Sequence, residues 1–284
     1  MFSLRRPVPA ILGIAAAAVA LAGAAVGPAH LASASVRTSS SPAAKPTVVI
    51  EAGAWADNSS FAGVVRRLQH DGYTVDVPPN PLQGLRYDSR TLAGFLGTIS
   101  GPVVLVGHSY GGMVITNAAT GNPNVKALVY VDAFIPDQGD TLASLLDNSG
   151  SCLGGPPADI FNFAPYPGGT GGPKGDVDTY IKPSLVPSCF ASGLPAPQAA
   201  VIAATQRPLA ASTLGEPSGP PAWKTIPSWA VIGTADRVIP PAVLTSMAQH
   251  AGAHITDVNA GHLSMISRAN TVTKVIIDAA NATG

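Results

Sequence analysis

The sequence predicts an α/β domain with a mostly parallel sheet of about six strands, helices on both faces and an inserted cap. Short apolar runs alternate with helical patterns from residue 46 onward, and such strand–helix units build parallel sheets covered by helices. The alternation stops between about residues 137 and 226, where glycine and proline are dense, and then resumes. That stretch is too long for a plain connection, so it is expected to form a cap or lid.

The individual elements follow from hydrophobic periodicity, taken in chain order. Short apolar, mostly β-branched runs predict strands at 47–50, 73–77, 102–106, 125–131, 229–232 and 255–258. Apolar residues at helical spacing predict helices at 61–69, 91–99, 113–119, 241–250 and 269–280. Within the cap, only residues 141–147 and 197–206 have a helical pattern.

The first residues have the features of an export signal. Arg5 and Arg6 precede an almost wholly apolar stretch at 11–26, and Ala32-Ser33-Ala34 supplies small residues for cleavage. This pattern predicts a signal peptide over residues 1–34. An uncleaved membrane anchor is the alternative, but the stretch is short for a span and rich in alanine, which favours cleavage.

The rest of the chain is predicted to form a single secreted domain. Residues 35–45 are mainly Ser, Thr, Pro and Ala and predict a disordered linker. Residues 46–284 are enough for one large α/β domain with a full core. We therefore expect an extracellular or cell-envelope protein without a stable membrane anchor after cleavage.

Charge and cysteine content exclude several classes of function. The formal net charge is zero, charged residues make up 11% of the chain, and no basic patch indicates nucleic acid or an anionic membrane as a partner. The two cysteines, Cys152 and Cys189, have no metal-site spacing, and no metal site is predicted. In an exported protein they are expected to form a disulfide, with two buried free thiols as the alternative. The oligomeric state stays open.

The segment Gly107-His108-Ser109-Tyr110-Gly111 carries the strongest functional signal. It fits the pattern Gly-x-Ser-x-Gly, in which a nucleophilic serine occupies a sharp turn between a strand and a helix. A predicted strand precedes it and a predicted helix follows it, as that turn requires. A glycine-rich turn with an incidental serine is the alternative, and the flanking elements favour the nucleophile.

A serine hydroxyl needs a base that takes its proton and an acid that orients the base. Asp236 follows the strand predicted at 229–232, and His262 follows the strand predicted at 255–258. Ligand sites in open α/β sheets gather at the carboxyl ends of strands. We therefore predict a triad of Ser109, His262 and Asp236, in the chain order typical of serine hydrolases with this turn.

Each triad assignment has rivals. Asp132 also follows a strand directly, so it is the alternative acid, or it anchors the start of the cap. His108 lies inside the turn but points away from the serine by backbone alternation. The other histidines are expected to be solvated or structural: His30, His70, His250 and His254.

An oxyanion hole needs two preorganised N–H donors beside the reacting carbonyl. The backbone N–H of Tyr110, at the start of the helix after the serine, is one candidate. The loop after the first strand supplies the other, with Gly53 allowing an inward turn and Ala54 donating. Trp55 and Phe134 are candidates for the wall of a substrate pocket, unless they belong to the core.

Together these motifs resemble the α/β-hydrolase superfamily, and within it the compact branch of plant methylesterases and hydroxynitrile lyases. The resemblance covers about residues 46–283 and implies the α/β-hydrolase fold. It rests on Gly53-Ala54-Trp55, Val106-Gly107-His108-Ser109-Tyr110-Gly111-Gly112, Val131-Asp132-Ala133-Phe134-Ile135-Pro136-Asp137, Gly233-Thr234-Ala235-Asp236 and Gly261-His262.

Two departures from this branch bear on the chemistry. Its members usually have His-Gly in the oxyanion loop, whereas here Ala52 replaces the histidine and Glu51 precedes it. Hydroxynitrile lyases of the branch carry a lysine after the catalytic histidine, which stabilises departing cyanide. Here Leu263, a further candidate for the pocket, follows His262, so ester hydrolysis is favoured over cyanohydrin cleavage.

The sequence thus predicts a secreted serine hydrolase without a cofactor, a carboxylesterase that acts on small acyl or aryl esters through an acyl-enzyme. The same triad also serves lactonases, thioesterases and cofactor-free perhydrolases, and residue patterns do not separate these. A binding protein without turnover, built on a hydrolase scaffold, is the alternative from another class. Such proteins usually lack a triad member, and none is missing here.

Overall fold

The computed structural model describes residues 45–168 and 175–283. The predicted signal peptide (1–34) and the predicted linker up to residue 44 lie outside these described residues. Within them, no helix is both long and apolar enough to cross a membrane.

Six parallel strands form the main sheet, in the order β2-β1-β3-β4-β8-β9. Numbered along the chain, they are β1 (Thr47–Glu51), β2 (Val75–Asp76), β3 (Val103–His108), β4 (Val125–Val131), β8 (Ser228–Gly233) and β9 (His254–Val258). Every residue of β3 and β8 is buried. Since side chains alternate between the faces of a strand, both faces of the sheet must be covered.

Two groups of helices provide this cover. The helices that flank the sheet are α1 (Ala62–His70), α2 (Leu85–Leu96), α3 (Tyr110–Ala118), α7 (Pro241–His250), α8 (Ser264–Ser267) and α9 (Ala269–Thr283). α9 lies on β3, β4 and β8 and packs against α1, whereas α3 lies on β1, β3 and β4 and packs against α2. The predicted parallel sheet of about six strands with flanking helices is confirmed.

The strand order brings the sequence motifs to one edge of the sheet. Ser109 follows β3 directly and Asp132 follows β4 directly, while Asp236 and His262 lie in the loops after β8 and β9. Because these four strands are parallel neighbours, their carboxyl ends lie side by side, as in other open α/β sheets.

The chain between β4 and β8, residues 132–227, is here called the insertion. Its strands pair antiparallel in a separate sheet: β5 (Phe161–Pro165), β6 (Val177–Ile181) and β7 (Leu209–Ala210). Its helices are short: α4 (Leu142–Leu146), α5 (Pro157–Ile160) and α6 (Ala196–Ala204). The two ends of the insertion meet, since Trp223 Nε1–H donates to the carbonyl of Pro136 at 2.8 Å.

Some element boundaries differ from the sequence prediction. α2 begins at Leu85 rather than at residue 91, because the buried carboxylate of Asp88 interrupts the apolar pattern of its first turns. α3 begins at Tyr110, three residues before the predicted start, because the helix follows the serine turn without a spacer. The sheet of the insertion was not predicted, since its strands are short, β5 ends in Pro165 and β7 directly follows Pro208.

Candidate active site

The turn at Ser109 has the strained geometry expected of a nucleophile elbow. Ser109 has a φ of 53° and a ψ of −124°, a conformation that costs a non-glycine residue energy and persists only when its surroundings enforce it. A Cβ on Gly111 would lie 2.3 Å from the carbonyl oxygen of Glu51. Only glycine therefore allows α3 to approach β1 this closely, and the elbow is held between β1 and β3.

The structure brings Ser109, His262 and Asp236 into one hydrogen-bonded chain. Ser109 Oγ lies 2.9 Å from His262 Nε2, and His262 Nδ1 lies 2.8 Å from Asp236 Oδ2. A carboxylate only accepts hydrogen bonds, so Nδ1 carries the proton and Nε2 accepts from the serine hydroxyl. Asp236 is fixed in turn, since its Oδ1 accepts the N–H groups of Val238 and Ile239 at 2.8 and 3.0 Å.

The environment of His262 favours its protonated form. Complete burial lowers the pKa of His262, but the charge of Asp236, the hydrogen bond to Asp236 and the charge of Asp132 together outweigh this effect. The pKa of His262 is consequently raised above its usual value. An imidazole with this environment is suited to accepting a proton from Ser109.

Asp132, the alternative acid, makes no hydrogen bond to His262. Its Oδ1 accepts the N–H of Gly233 at 2.7 Å, and its Oδ2 accepts the N–H of Ser264 at 3.2 Å. Asp236 is therefore the carboxylate that bonds to His262 Nδ1. Asp132 lies beside it, because the register of β4 and β8 directs its side chain at the backbone of the neighbouring loops.

His108 has a contact that the sequence did not reveal. Its Nε2–H donates to the carbonyl oxygen of His262 at 3.0 Å, so it supports the loop of the triad histidine while pointing away from Ser109 as predicted. Burial, and then the proximity of His262, lowers the pKa of His108 well below its usual value, and the side chain is neutral. No spacing rule could have indicated this contact, because 154 residues separate the partners.

Two N–H groups beside Ser109 have the arrangement of an oxyanion hole. In the described part of the chain, neither Ala54 N–H nor Tyr110 N–H donates to a protein acceptor, whereas Trp55 N–H is committed to the carbonyl of Arg207 at 2.8 Å. A Cβ on Gly53 would lie 2.8 Å from Ser109 Cβ and 3.2 Å from Tyr110 N. The loop after β1 thus lies directly against the elbow, as the predicted pair of donors requires.

Glu51, the residue that precedes this loop, is buried. Its side chain is shielded from water, and burial followed by the charge of Asp88 raises its pKa well above the usual value, with Arg207 opposing. Burial thus favours the uncharged form of the acid that precedes the oxyanion loop.

A cavity of about 360 Å³ opens in front of Ser109, walled largely by the insertion. Trp55 and Phe134, the two candidates for its wall, both line it. Trp55 also links the oxyanion loop to the insertion, since its Nε1–H donates to the carbonyl of Thr179 at 2.8 Å and its ring stacks on Phe161. Leu263, the further candidate for the pocket, is buried in the core beside the start of α8 and is not among the residues that line this cavity.

The remaining predicted features concern cysteines and metals. Cys152 and Cys189 form a disulfide, which ties the loop that walls the cavity to the segment of Phe190. The Phe190 ring lies 5.4 Å from the ring of His262. Over residues 45–168 and 175–283, no cluster of three or more His, Cys, Asp or Glu side chains has a geometry that could hold a metal ion.

The fold and the site agree with a known family. The chain belongs to the alpha/beta hydrolase family, which it matches over residues 48–274. It is also similar to a carbendazim hydrolyzing esterase from Nocardioides sp. (strain SG-4G), with 36% identity over 111 residues. That match covers 34% of this chain and 46% of the esterase, so it spans about half the length of the relative.

Solved structures share the fold along most of this chain. Polyneuridine aldehyde esterase superposes with a TM-score of 0.70 at 17% identity, covering 83% of this chain and 99% of its own. A pyrethroid hydrolase from Sphingobium faniae JZ-2 has a TM-score of 0.65 at 20% identity, with 84% and 98% covered. An extracellular alpha/beta-hydrolase from a Paenibacillus species has a TM-score of 0.66 at 19% identity, covering 82% of this chain and 98% of its own. These likenesses confirm the predicted α/β-hydrolase fold.

Proposed function

We propose that the protein is a serine carboxylesterase that hydrolyses small, uncharged acyl or aryl esters. The observation that carries the proposal is the continuous hydrogen-bonded chain from Ser109 through His262 to Asp236. It opens into a cavity beside two N–H groups that donate to no acceptor within the described residues. The partial match to an esterase supports the reaction class.

The geometry supports a two-stage reaction. Ser109 Oγ attacks the ester carbonyl carbon while its proton passes to His262 Nε2, and Asp236 stabilises the imidazolium that forms. The N–H groups of Ala54 and Tyr110 bind the oxyanion. The carbon–oxygen bond to the alcohol then breaks, Nε2–H protonates the leaving alkoxide, and an acyl-enzyme remains.

Water completes the cycle in the second stage. It attacks the acyl carbonyl carbon as His262 Nε2 takes one of its protons. The bond between that carbon and Ser109 Oγ then breaks, the carboxylic acid is released, and His262 returns the proton to Oγ. These steps need no metal or cofactor.

The lining of the cavity supports uncharged substrates. Among the described residues that line it, apolar side chains such as Leu142, Leu146 and Leu209 predominate, and Asp147 is the one charged group. An anionic substrate would meet this carboxylate, and none of the described lining residues is a cation that could balance it. A substrate panel should therefore include neutral 4-nitrophenyl esters, a lactone, a thioester and, because of the Nocardioides relative, carbendazim.

Ser109→Ala is the test of the proposal. We expect kcat for 4-nitrophenyl acetate to fall by about 10⁶-fold, and labelling by a fluorophosphonate probe to disappear. Ser228→Ala is the matched control, because Ser228 is a buried serine at the opposite edge of the sheet. Unchanged turnover in Ser109→Ala would sink the esterase proposal, and a wild type that neither turns over esters nor takes up the probe would indicate a binding protein.

Export is part of the same proposal. It is supported by the arginines, apolar stretch and small residues of the first 34 positions, and by the disulfide, a bond typical of oxidising compartments. Mass spectrometry of protein secreted by an actinobacterial expression host should find a mature chain that begins at Ser35. Recovery of the intact chain from the membrane fraction would instead indicate an uncleaved anchor.

A further inference from the structure

Asp132 is a buried carboxylate that takes no direct part in the proposed reaction. It has no exposed surface and a φ of 44°. A non-glycine residue with positive φ is strained, although aspartate tolerates this region better than most side chains. Such strain persists only where surrounding contacts hold the residue, and the contacts of Asp132 are both with backbone near the triad.

The two oxygens of Asp132 join the two loops that carry the acid and the base. Oδ1 accepts the N–H of Gly233, which ends β8 and opens the loop of Asp236. Oδ2 accepts the N–H of Ser264, two residues after His262. One carboxylate therefore spans the loops whose separation sets the hydrogen bond between Asp236 and His262.

The packing around Gly233 shows how closely these segments meet. A Cβ on Gly233 would lie 3.0 Å from Asp132 Oδ1, 2.8 Å from the carbonyl oxygen of Ala260 and 2.9 Å from that of Gly261. The segments of Asp132, Gly233 and Ala260–Gly261 thus pack together so closely that no side chain would fit at Gly233. Displacement of Asp132 would be transmitted to both loops.

Asp132 also faces the triad electrostatically. Burial and the charge of Asp236 raise the pKa of Asp132 to about 7, against hydrogen bonds from Ser264 and Gly233 and the attraction of His262. In return, the carboxylate of Asp132 contributes to raising the pKa of His262. The charged groups that face Asp132 are thus Asp236 and His262, from the loops after β8 and β9.

We infer that Asp132 is a positioning residue. Its carboxylate clamps the Asp236 loop to the His262 loop and so keeps Asp236 within hydrogen-bonding distance of His262. This inference rests on the proposed serine hydrolase function. It assigns Asp132 neither contact with substrate nor the orienting bond to His262 Nδ1.

Asp132→Asn tests the clamp, because it keeps the size of the side chain but replaces one acceptor with a donor. One of the two N–H groups then faces an NH₂ group and loses its partner. We expect kcat for 4-nitrophenyl acetate to fall about 10- to 100-fold, the effect of a small misalignment of reacting groups.

The pH profile separates positioning from general destabilisation. The free enzyme is active only when His262 is neutral, so kcat/KM falls as pH decreases through the pKa of His262. With a pKa of about 7, Asp132 is partly ionised where the limb begins. Asp132→Asn removes this partial charge, which raises the pKa of His262, and the acidic limb is therefore expected to move slightly to lower pH. Thr273→Val is the control, because Thr273 is buried in α9 and bonds only within its own helix. Thr273→Val should lower Tm without shifting the acidic limb of the pH profile.

The outcomes distinguish this inference from the proposed function. If Asp132→Asn kept the wild-type kcat and the wild-type position of the acidic limb, the clamp would be overturned. A fall in kcat as large as that of Asp236→Asn would also overturn it, because Asp132 would then act as part of the orienting acid. Asp132→Ser, which retains one acceptor, replaces the asparagine variant if that variant does not fold, and the same results are expected. An active Ser109→Ala enzyme would instead remove the hydrolase proposal itself.

Discussion

The carboxyl edge of the main sheet and the insertion are built in different ways. At the sheet edge, Ser109, Asp236 and His262 are 2%, 4% and 0% exposed. Ser109 and Asp236 follow strands held between parallel neighbours, and His262 follows the outer strand β9, which pairs with β8. The insertion has a two-residue strand and four- and five-residue helices, and Phe163 of β5 is 45% exposed. The three residues of the proposed triad are thus held by the core, whereas the wall of the cavity is held largely by short, partly exposed elements.

We therefore expect the sheet edge to govern the reaction and the insertion to govern the choice of substrate. Reacting groups must be held to within a fraction of an ångström, which rigid strand ends provide. A substrate wall tolerates variation in shape, and loops on a rigid scaffold commonly supply it. Mutations at the sheet edge should therefore act on kcat, whereas mutations in the insertion should act mainly on KM.

The largest effect is expected at the sheet edge, from Asp236→Asn. The asparagine oxygen can still accept the N–H groups of Val238 and Ile239, so the loop should keep its shape. Its NH₂ group, however, would face His262 Nδ1 and force the proton onto Nε2, which then cannot accept the proton of Ser109. We expect kcat to fall by about 10⁴-fold with little change in Tm.

Steady-state kinetics and thermal unfolding of the same preparation check this prediction. If Asp236→Asn lost less activity than Asp132→Asn, the two carboxylates would have exchanged roles. The comparison would then place the orienting acid on β4 rather than after β8.

A smaller effect is expected in the insertion, from the double variant Cys152→Ser/Cys189→Ser. The disulfide closes a loop with a sequence separation of 37, and loop-closure entropy predicts a loss of about 4 kcal/mol in the free energy of unfolding. A looser wall should raise KM by about tenfold, equivalent to ~1.4 kcal/mol of binding. The triad should keep most of its kcat, because it rests on strand ends.

Urea unfolding and kinetics of the variant and of reduced wild type measure both effects. A fall in kcat at constant KM would contradict the expectation that the insertion acts mainly on KM. It would indicate that the insertion positions the base through Phe190, whose ring packs against His262.

The parts of the site that could be predicted are those with a local pattern. The elbow at Ser109 combines a buried strand, two glycines and a helix within a dozen residues, and each of these leaves a signature in composition or periodicity. Asp236 and His262 could be predicted because each follows a strand at a site-forming edge. The contact of His108 with the His262 carbonyl and the clamp at Asp132 leave no such pattern, since their partners are distant in sequence and are backbone groups.

By itself, the sequence determined the parallel sheet, the turn that carries Ser109, the order of Ser109, Asp236 and His262 along the chain, and the pair of cysteines. Hydrophobic periodicity, glycine sterics and strand-end position act over short stretches and therefore survive in a linear pattern. Only the tertiary structure placed Asp236 rather than Asp132 within hydrogen-bonding distance of His262, placed Leu263 in the core and arranged the insertion around the cavity. Those outcomes depend on the relative register of strands far apart in the chain, which brings particular atoms within 3 Å and leaves no trace in residue spacing.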